Sequence, residues 1–492
     1  MFAQKQAIKD LLKVIISNLI SLASGILVGF VIPKIMGFED YGYYKTYALY
    51  AGYTGLLHFG LSDGIYFYFS GKNLDELDQK KVHSSVLFVI ILEAAISIIG
   101  IIVSLFFTRG NPYGLIFIFV FLSSFFSHVQ TILSYICQAT KQFSFHSLMN
   151  SMKSILDILE VAILYGLYKL KDSFQISYWL YCTIVVATMA IQAFCFVIKL
   201  WKFIFCKGQS ARQTEEDLQM FLKLGLPIMI ANLTSALIMN IDKQFVSIFY
   251  PVETSNIFAI FSFAYSVLNL IAVITSAIST VLFPYMKGKD EERLCQIFPD
   301  LDAFLLLFVT AACTSYFVIQ WIVQRFVSKY NDSMPLIRII IPGLIINTSV
   351  TVLMHNYYKA LNKERVYFWQ NILILLIAIV TDLIAYYFII LPFDSMNPIW
   401  LTIASDITLL IWYIVSEKYL VKNYKIQHWK NDCYAFSSCI LFLLVAFFSD
   451  GWIGFGIYLI SIAIIDFCFY RKEINNFFIL QKANRKQKAN NK

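Results

Sequence analysis

The chain alternates long apolar runs with short polar breaks along most of its 492 residues, and this alternation limits the folds open to it. A helix needs about 20 apolar residues to cross a bilayer. At that length we identify fourteen runs, which are 12–33, 41–70, 85–108, 114–138, 148–168, 176–200, 222–249, 255–286, 302–324, 334–358, 366–391, 397–420, 433–449 and 452–470. Because 59% of the residues are hydrophobic and only 14% are charged, the composition excludes an ordinary soluble protein.

The positions of the lysines and arginines test this number of spans. Of the 39 basic residues, 29 lie in even-numbered breaks, at the two ends or within three residues of the run ends that face them, 6 lie in odd-numbered breaks and 4 lie deeper inside runs. Cytoplasmic loops of membrane proteins carry an excess of Lys and Arg. The sequence therefore predicts a multi-pass protein with both termini in the cytoplasm. Its basic segment 471–492 is expected to contact anionic lipid rather than nucleic acid.

A weak internal similarity divides the chain. Leu11-Leu12-Lys13 opens the first set of runs, and Phe221-Leu222-Lys223 opens a second set. Six runs per half place both starting points on the same side, as in transporters with parallel repeats. We predict an all-α integral membrane protein with two pseudo-symmetric six-helix bundles and a C-terminal helical hairpin. The expected division is 1–209 and 210–421 for the bundles, 422–470 for a linker and helix pair, and 471–492 for a basic cytoplasmic tail.

Several short motifs are spread along the chain. The first loop, from Val31 to Tyr44, combines a basic residue, a Gly and an acidic-aromatic-Gly-Tyr run. The other stretches are Gly225-Leu-Pro227, Ile241-Asp242-Lys243, Phe283-Pro284 and the run from Leu336 to Lys363. Together these motifs resemble bacterial polysaccharide flippases of the Wzx type, and the resemblance covers nearly the whole chain. One departure is Asn256-Ile257-Phe258, where the family often repeats a Gly-x-Tyr.

The resemblance implies a member of the multidrug/oligosaccharidyl-lipid/polysaccharide exporter superfamily. Such proteins form two six-helix bundles around a central cavity that opens alternately to each side. The implied cargo is an undecaprenyl-diphosphate-linked oligosaccharide, moved from the inner to the outer leaflet of the bacterial plasma membrane. The polysaccharide polymerase and its chain-length regulator are the implied protein partners. We expect no cofactor, and the nine cysteines have no metal or redox spacing.

The basic residues inside the runs are candidates for binding the diphosphate. A charged head group cannot cross about 30 Å of hydrocarbon unaided, and charges within spans usually face a cavity or a partner. Lys45 and Lys243 lie near the outer ends of runs 2 and 7, and Arg338 lies about one turn inside run 10. The alternatives are that Lys45 snorkels to the head groups, that Asp242 compensates the charge of Lys243, and that Arg338 is an interfacial anchor.

Acidic residues inside the runs are candidates for binding a coupling ion, either a proton or sodium. They are Asp63, Glu160 and Asp242. For Asp63 the alternative is a helix–helix hydrogen bond or salt bridge. Lys153 and Asp157 are four residues apart, so a bridge between them would leave Glu160 without a partner on its own helix.

Aromatic residues are candidates for binding sugars. Tyr47 and Tyr50 belong to a tyrosine-rich stretch, and tyrosine rings stack on sugar faces and donate hydrogen bonds. The alternative is an interfacial aromatic belt with ordinary helix packing. The remaining polar residues within runs are expected to serve packing; among them are His58, Glu93, His128 and Asp382.

Other function classes lack their sequence features. No Gly-x-x-x-x-Gly-Lys-Ser/Thr phosphate loop is present, so the chain is not itself an ATP-driven pump. Asp300-Leu-Asp302 mimics a glycosyltransferase metal motif but only opens run 9. A membrane-embedded polysaccharide polymerase would need a large external loop, which the runs do not leave. A lipid II flippase and an ion-coupled drug exporter remain as alternatives.

Overall fold

The regular structure of the described residues is helical. The computed structural model describes residues 2–108, 110–170, 175–286, 290–393, 398–426 and 429–490, with side chains throughout except in 2–15, 271–285, 364 and 472–490. In chain order the α-helices are α1 (Phe2–Ile35), α2 (Phe38–Tyr53), α3 (Leu61–Phe69), α4 (Gln79–Phe107), α5 (Pro112–Ala139), α6 (Phe143–Leu170), α7 (Tyr178–Lys199), α8 (Trp201–Ile204), α9 (Ala211–Ile238), α10 (Ile241–Phe249), α11 (Ile257–Met286), α12 (Glu291–Ala312), α13 (Ser315–Phe326), α14 (Met334–Thr348), α15 (His355–Ala360), α16 (Glu364–Ile384), α17 (Ile399–Tyr424), α18 (Trp429–Phe448) and α19 (Gly451–Asn490). Short 3₁₀ turns span Thr54–Leu56, Leu74–Glu76 and Ser328–Ser333, and π-helical turns span Ser349–Met354 and Ala385–Ile390.

Each of the fourteen predicted runs coincides with one helix or with a helix pair broken along its length. Within the described residues, eleven helical segments are long and apolar enough to cross a membrane. The other three runs correspond to the broken pair α2–α3, to α6 with its charged side chains, and to α11, whose portion Ile257–Leu270 is a shorter apolar helix. The prediction of an all-α, multi-pass integral membrane protein is confirmed.

The surface of these helices is apolar, as a lipid environment requires. On α4, Phe106 is 79% exposed and Ile99 is 62% exposed, whereas Glu93, Ser97 and Ser104 are buried. A helix satisfies its backbone hydrogen bonds internally, so it can face lipid with apolar side chains. Small polar residues then pack against neighbouring helices. Polar side chains therefore mark the interior of this protein.

Contacts along the chain define two compact units. The first unit contains residues 1–277 and 364–401, and the second contains residues 278–363 and 402–492. In the first unit α1 packs on α6, α4 on α5, and α9 on both α3 and α16. The four-part division at residues 209, 421 and 470 was predicted from the internal similarity, and it stays a prediction. The basic tail at 472–492 lies outside the side chains that the structure describes.

Glycines allow α3 to cross α9 closely in the first unit. A Cβ atom on Gly64 would meet the backbone of Phe221, and one on Gly225 would meet the carbonyl group of Gly60. Between α2 and α3 the chain breaks at Phe59 and Gly60, with φ angles of 49° and 79°. Glycine adopts this left-handed conformation without strain. The break separates two polar faces of run 2, one on α2 and one on α3.

A buried polar network holds the helical hairpin α18–α19 in the second unit. Asn431 Nδ2 donates a hydrogen bond of 3.1 Å to Asp302 Oδ2, and Ser349 Oγ donates one of 3.0 Å to Oδ1. Tyr470 OH donates to Asn431 Oδ1 over 2.7 Å. Because buried polar groups need partners, this network fixes α12, α18 and α19 together. The second aspartate of the Asp300-Leu-Asp302 motif thus makes packing contacts.

Candidate functional site

Helices α2 and α10 bring Lys45 and Lys243 together, although the two residues are far apart in the sequence. Gln244 Nε2 on α10 donates a 3.2 Å hydrogen bond to the hydroxyl group of Tyr50 on α2. Val252, just after α10, fills the space beside Gly42. These contacts turn the faces that carry the two lysines towards each other, and Lys45 lies within electrostatic range of Lys243.

The two ammonium groups are surrounded by aromatic and amide groups. Lys45 Nζ lies 5.1 Å from the ring centroids of both Tyr41 and Tyr44. Lys243 Nζ donates a 2.7 Å hydrogen bond to Asn240 Oδ1 and lies 4.8 Å from the ring centroid of Tyr265. Among the residues that the structure describes, no carboxylate forms an ion pair with either ammonium group. Asp242 acts on the ammonium group of Lys243 only through its field, so these two half-buried cations are chemically suited to bind an anion.

Asp242 shares Tyr265 with Lys243 but also interacts with a second carboxylate. Its carboxylate is 2% exposed and accepts hydrogen bonds from the Tyr265 hydroxyl group and, over 2.8 Å, from the Lys243 backbone N–H. The carboxylate also repels that of Asp382 on α16, which is 1% exposed and whose Oδ2 atom has no hydrogen-bond partner. The hydroxyl group of Tyr53 lies within the field of Asp242 and likewise has no partner. Two buried carboxylates of like charge within electrostatic range of each other are chemically suited to take up a cation or a proton.

The candidate tyrosines differ in their surroundings. Tyr47 is 3% exposed, and its ring packs 6.3 Å from that of Tyr44. Tyr50 is only partly buried, accepts the hydrogen bond from Gln244 and packs 5.0 Å from Phe117. Tyr50 therefore has a hydroxyl group and part of a ring that a ligand can reach. Tyr47 instead packs behind Tyr44, the ring that lies beside Lys45.

Glu160 lies near Tyr181, a tyrosine that packs against Tyr44. The Lys153–Asp157 bridge predicted from their spacing is present, with Nζ and Oδ2 2.7 Å apart. The Glu160 carboxyl group lies within electrostatic range of the Tyr181 hydroxyl group, and its Oε2 atom has no hydrogen-bond partner. The ring of Tyr181 packs 4.8 Å from that of Tyr44, next to Lys45. Tyr181 and Tyr44 thus lie between Glu160 and the ammonium group of Lys45.

Arg338 and Asp63 lie outside the lysine pair. Arg338 belongs to the second unit, where Nη2 lies 3.8 Å from Asp450 Oδ1 and Nε donates over 3.2 Å to the hydroxyl group of Tyr316. Its guanidinium group also lies 4.8 Å from the ring centroid of Phe447. These contacts favour the anchoring interpretation. Asp63 lies on α3, beyond the break from α2, in a separate cluster of titratable groups.

The sequence did not indicate Asp382, Tyr53 or the amides of Asn240 and Gln244 as parts of the site. Asp382 was expected to have a structural partner, and its unpartnered Oδ2 atom is visible only once α16 packs on α9 and α10. In the described part of the chain, no group of three His, Cys, Asp or Glu side chains is arranged to hold a metal ion.

Comparison with known proteins identifies the fold. No protein-family model matches the chain, and no curated protein matches its sequence. A solved structure of the lipid II flippase MurJ, in an inward closed conformation, has a TM-score of 0.69 and 16% identity over 95% of this chain and 100% of that chain. A MATE family multidrug resistance transporter of the MOP superfamily, in an inward-facing conformation, has a TM-score of 0.58 and 14% identity over 83% of this chain and 94% of that chain. An outward-facing structure of a MATE family transporter has a TM-score of 0.56, again at 14% identity, over 85% of this chain and 96% of that chain. At these identities the likeness shows the fold alone, and that fold is the one of MOP-superfamily transporters.

Proposed function

We propose that the protein is a flippase that moves undecaprenyl-diphosphate-linked oligosaccharide repeat units from the inner to the outer leaflet of the bacterial plasma membrane. The units would supply surface polysaccharide assembly, with the polysaccharide polymerase and its chain-length regulator as partners. Both termini would lie in the cytoplasm, where the basic tail meets anionic lipid. No covalent step is required, because binding that differs between two conformations is enough to move a ligand.

The observation that carries this proposal is the pairing of Lys45 with Lys243. A diphosphate presents two adjacent negative charges, and two adjacent ammonium groups match them in number and sign. Charge-assisted hydrogen bonds in a low-dielectric interior are stronger than those in water. Tyr50, Asn240 and Gln244 provide the ring, hydroxyl and amide groups that sugars bind.

Helix α10 also supplies a physical link between the anion and a coupling cation. Asp242 and Lys243 are consecutive on this nine-residue helix, so their side chains point about 100° apart. Lys243 faces the anion site, and Asp242 faces Asp382. A cation bound between the two aspartates would fix the position of α10 and hence the distance between Lys243 and Lys45. Occupancy of one site would then alter affinity at the other, as linkage requires.

A deletion strain tests the proposal through its lipid-linked intermediates. We expect complete repeat units to accumulate in the cytoplasmic leaflet, with surface polysaccharide lost and restored by the intact gene. Accessibility of the sugar to an externally added glycosidase reports the leaflet. Single units that reach the outer leaflet but remain unpolymerised would overturn the flippase proposal and favour a polymerase.

The second candidate function is lipid II flipping. The MurJ structure matches 95% of this chain, whereas the MATE transporter structures match 83% and 85%. Lipid II shares the diphosphate, so the lysine pair would serve it equally. Depletion separates the two functions: loss of a lipid II flippase stops growth and traps peptidoglycan precursor, whereas loss of a repeat-unit flippase removes surface polysaccharide and traps its own lipid.

A further inference from the structure

A second cluster of titratable groups lies in the first unit, on helices α3, α4 and α5 and at the break before α3. Glu93 on α4 is fully buried, and its Oε2 atom lies 2.7 Å from Nδ1 of His128 on α5. The ring of His128 is edge-on to that of His58, with centroids 5.4 Å apart. His58 Nε2 lies 3.9 Å from Asp63 Oδ2. Two carboxyl groups are therefore joined through two imidazoles.

At one end of this cluster, the carboxyl group of Glu93 lacks hydrogen-bond donors. Its contact with His128 is short but lies off the direction that a hydrogen bond needs, and Oε1 has no partner. An ionised carboxylate without donors in a dry interior is costly, and a bound proton removes that cost. The packing around Glu93 thus suits a carboxyl group that binds a proton.

The His58 end has a defined tautomer. The backbone N–H of Gly60 donates a 3.1 Å hydrogen bond to His58 Nδ1, so this nitrogen carries a lone pair. A neutral imidazole then holds its proton on Nε2, the atom that faces Asp63. Protonation of Nδ1 would break the bond to Gly60 at the point where the backbone is already in the left-handed region. His58 is therefore built as a neutral bridge, and the carboxyl groups are the proton acceptors.

The described elements around His58 and Asp63 present few charged groups to them. The charge of Asp63 acts on the hydroxyl group of Tyr135 on α5, and the ring of Tyr135 packs 5.1 Å from that of Tyr66. Helix α9 meets α3 at Gly225 and Phe221, and its Lys223 is exposed. In the described residues of α6 and α7, no charged group acts appreciably on His58 or Asp63.

We propose that Glu93, His128, His58 and Asp63 form one proton-binding site at the break of the second span. The ligand is a proton rather than a metal ion, because no three of the described His, Cys, Asp and Glu side chains are arranged around a common point and one imidazole nitrogen is already bonded to Gly60. The bound proton resides on a carboxyl oxygen of Glu93 or Asp63, and the imidazoles couple the two positions. The proton site rests on this geometry, whereas its use to drive transport rests on the proposed function.

Infrared difference spectroscopy on the purified full chain, without lipid substrate, tests the site itself. The carbonyl stretch of protonated carboxylic acid is followed through a pH titration in wild type, Glu93→Gln, Asp63→Asn and the double variant. We expect each single variant to lose part of the band and to shift the pH at which the remaining part disappears. His58→Asn retains an acceptor for the Gly60 N–H. It should abolish the effect that removing one carboxyl group has on the titration of the other. Asp157→Asn, which removes the partner of Lys153, is the matched control and should leave the titration unchanged.

Two outcomes would overturn the proton site. One is a band that neither Glu93→Gln nor Asp63→Asn diminishes, and the other is two bands that titrate independently, which would mean two separate acids. Folding of each variant is checked by thermal melting in the same detergent. Flipping of lipid-linked oligosaccharide in proteoliposomes under an imposed proton gradient is measured separately. Absent flipping with an intact proton titration would refute the proposed function and leave the proton site standing.

Discussion

Replacing Lys243 with methionine is expected to remove most transport while the protein stays folded. In the structure, Nζ of this residue is held 2.7 Å from Asn240 Oδ1 and within the field of Lys45. A diphosphate oxygen that takes the place of the amide oxygen would gain a charge-assisted bond. Hydrogen bonds to charged groups contribute about 1.5–3 kcal/mol, which corresponds to a 10- to 150-fold loss of affinity when one is removed.

The same substitution should have a small effect on the free energy of unfolding. Methionine loses the hydrogen bond to Asn240 and a cation–π contact with Tyr265, which contributes about 0.5–2 kcal/mol. The substitution also removes the unfavourable interaction with Lys45 and the cost of keeping an ammonium group partly withdrawn from water. These contributions oppose each other and are of similar size, so we expect a melting temperature within a few degrees of wild type.

The assay compares surface polysaccharide per unit of membrane protein in complemented deletion strains. Lys153→Met is the matched control, because Lys153 also lies within a span but is paired with Asp157 at 2.7 Å. The control should keep surface polysaccharide near the wild-type level, and Lys243→Arg should keep more than Lys243→Met. Wild-type polysaccharide in Lys243→Met at equal protein level would refute the role of this residue in binding the diphosphate.

Three further substitutions test other parts of the first unit. Gly64→Ala places a methyl group against the backbone of α9 and should lower the free energy of unfolding by about 1–3 kcal/mol. Gly166→Ala meets open space, so it should leave stability unchanged or raise it slightly. Thermal melting of the two variants tests this difference. Lys81→Met removes a 2.5 Å ion pair with Asp217, and a double-mutant cycle with Asp217→Asn should give a coupling of about 1–3 kcal/mol; a coupling near zero would contradict the expected contribution. Asp382→Asn should leave melting unchanged but abolish the dependence of flipping on the coupling-cation gradient, measured in proteoliposomes; an unaltered dependence would remove Asp382 from the ion site.

The sequence was sufficient to predict the helical spans, but it did not predict how the residues of the candidate site are arranged. Run lengths and the distribution of basic residues can be counted in the sequence, and they predicted the helical spans. The four-residue spacing of Lys153 and Asp157 predicted the bridge between them. The pairing of Lys45 with Lys243 depends on how α2 packs against α10, and no periodicity within either run encodes that contact. Asp382 and Glu93 looked like isolated acids, because partners on other helices are invisible in one sequence. In the structure each of these acids has a carboxyl oxygen without a hydrogen-bond donor, and this depends on how the helices pack.

The two proposed sites share the broken second span, and this gives a physical route between them. Lys45 lies on α2 and Asp63 on α3, and the left-handed backbone at Phe59 and Gly60 separates them. A continuous helix would transmit a rotation of one half to the other, whereas a break lets the halves move separately unless something fixes it. The hydrogen bond from Gly60 to His58 is such a contact, and His58 also faces Asp63. If both proposals hold, a proton on the Asp63 side changes the contact that fixes the break. The angle between α3 and α2, and with it the position of Lys45, would then respond to protonation without direct contact between proton and cargo.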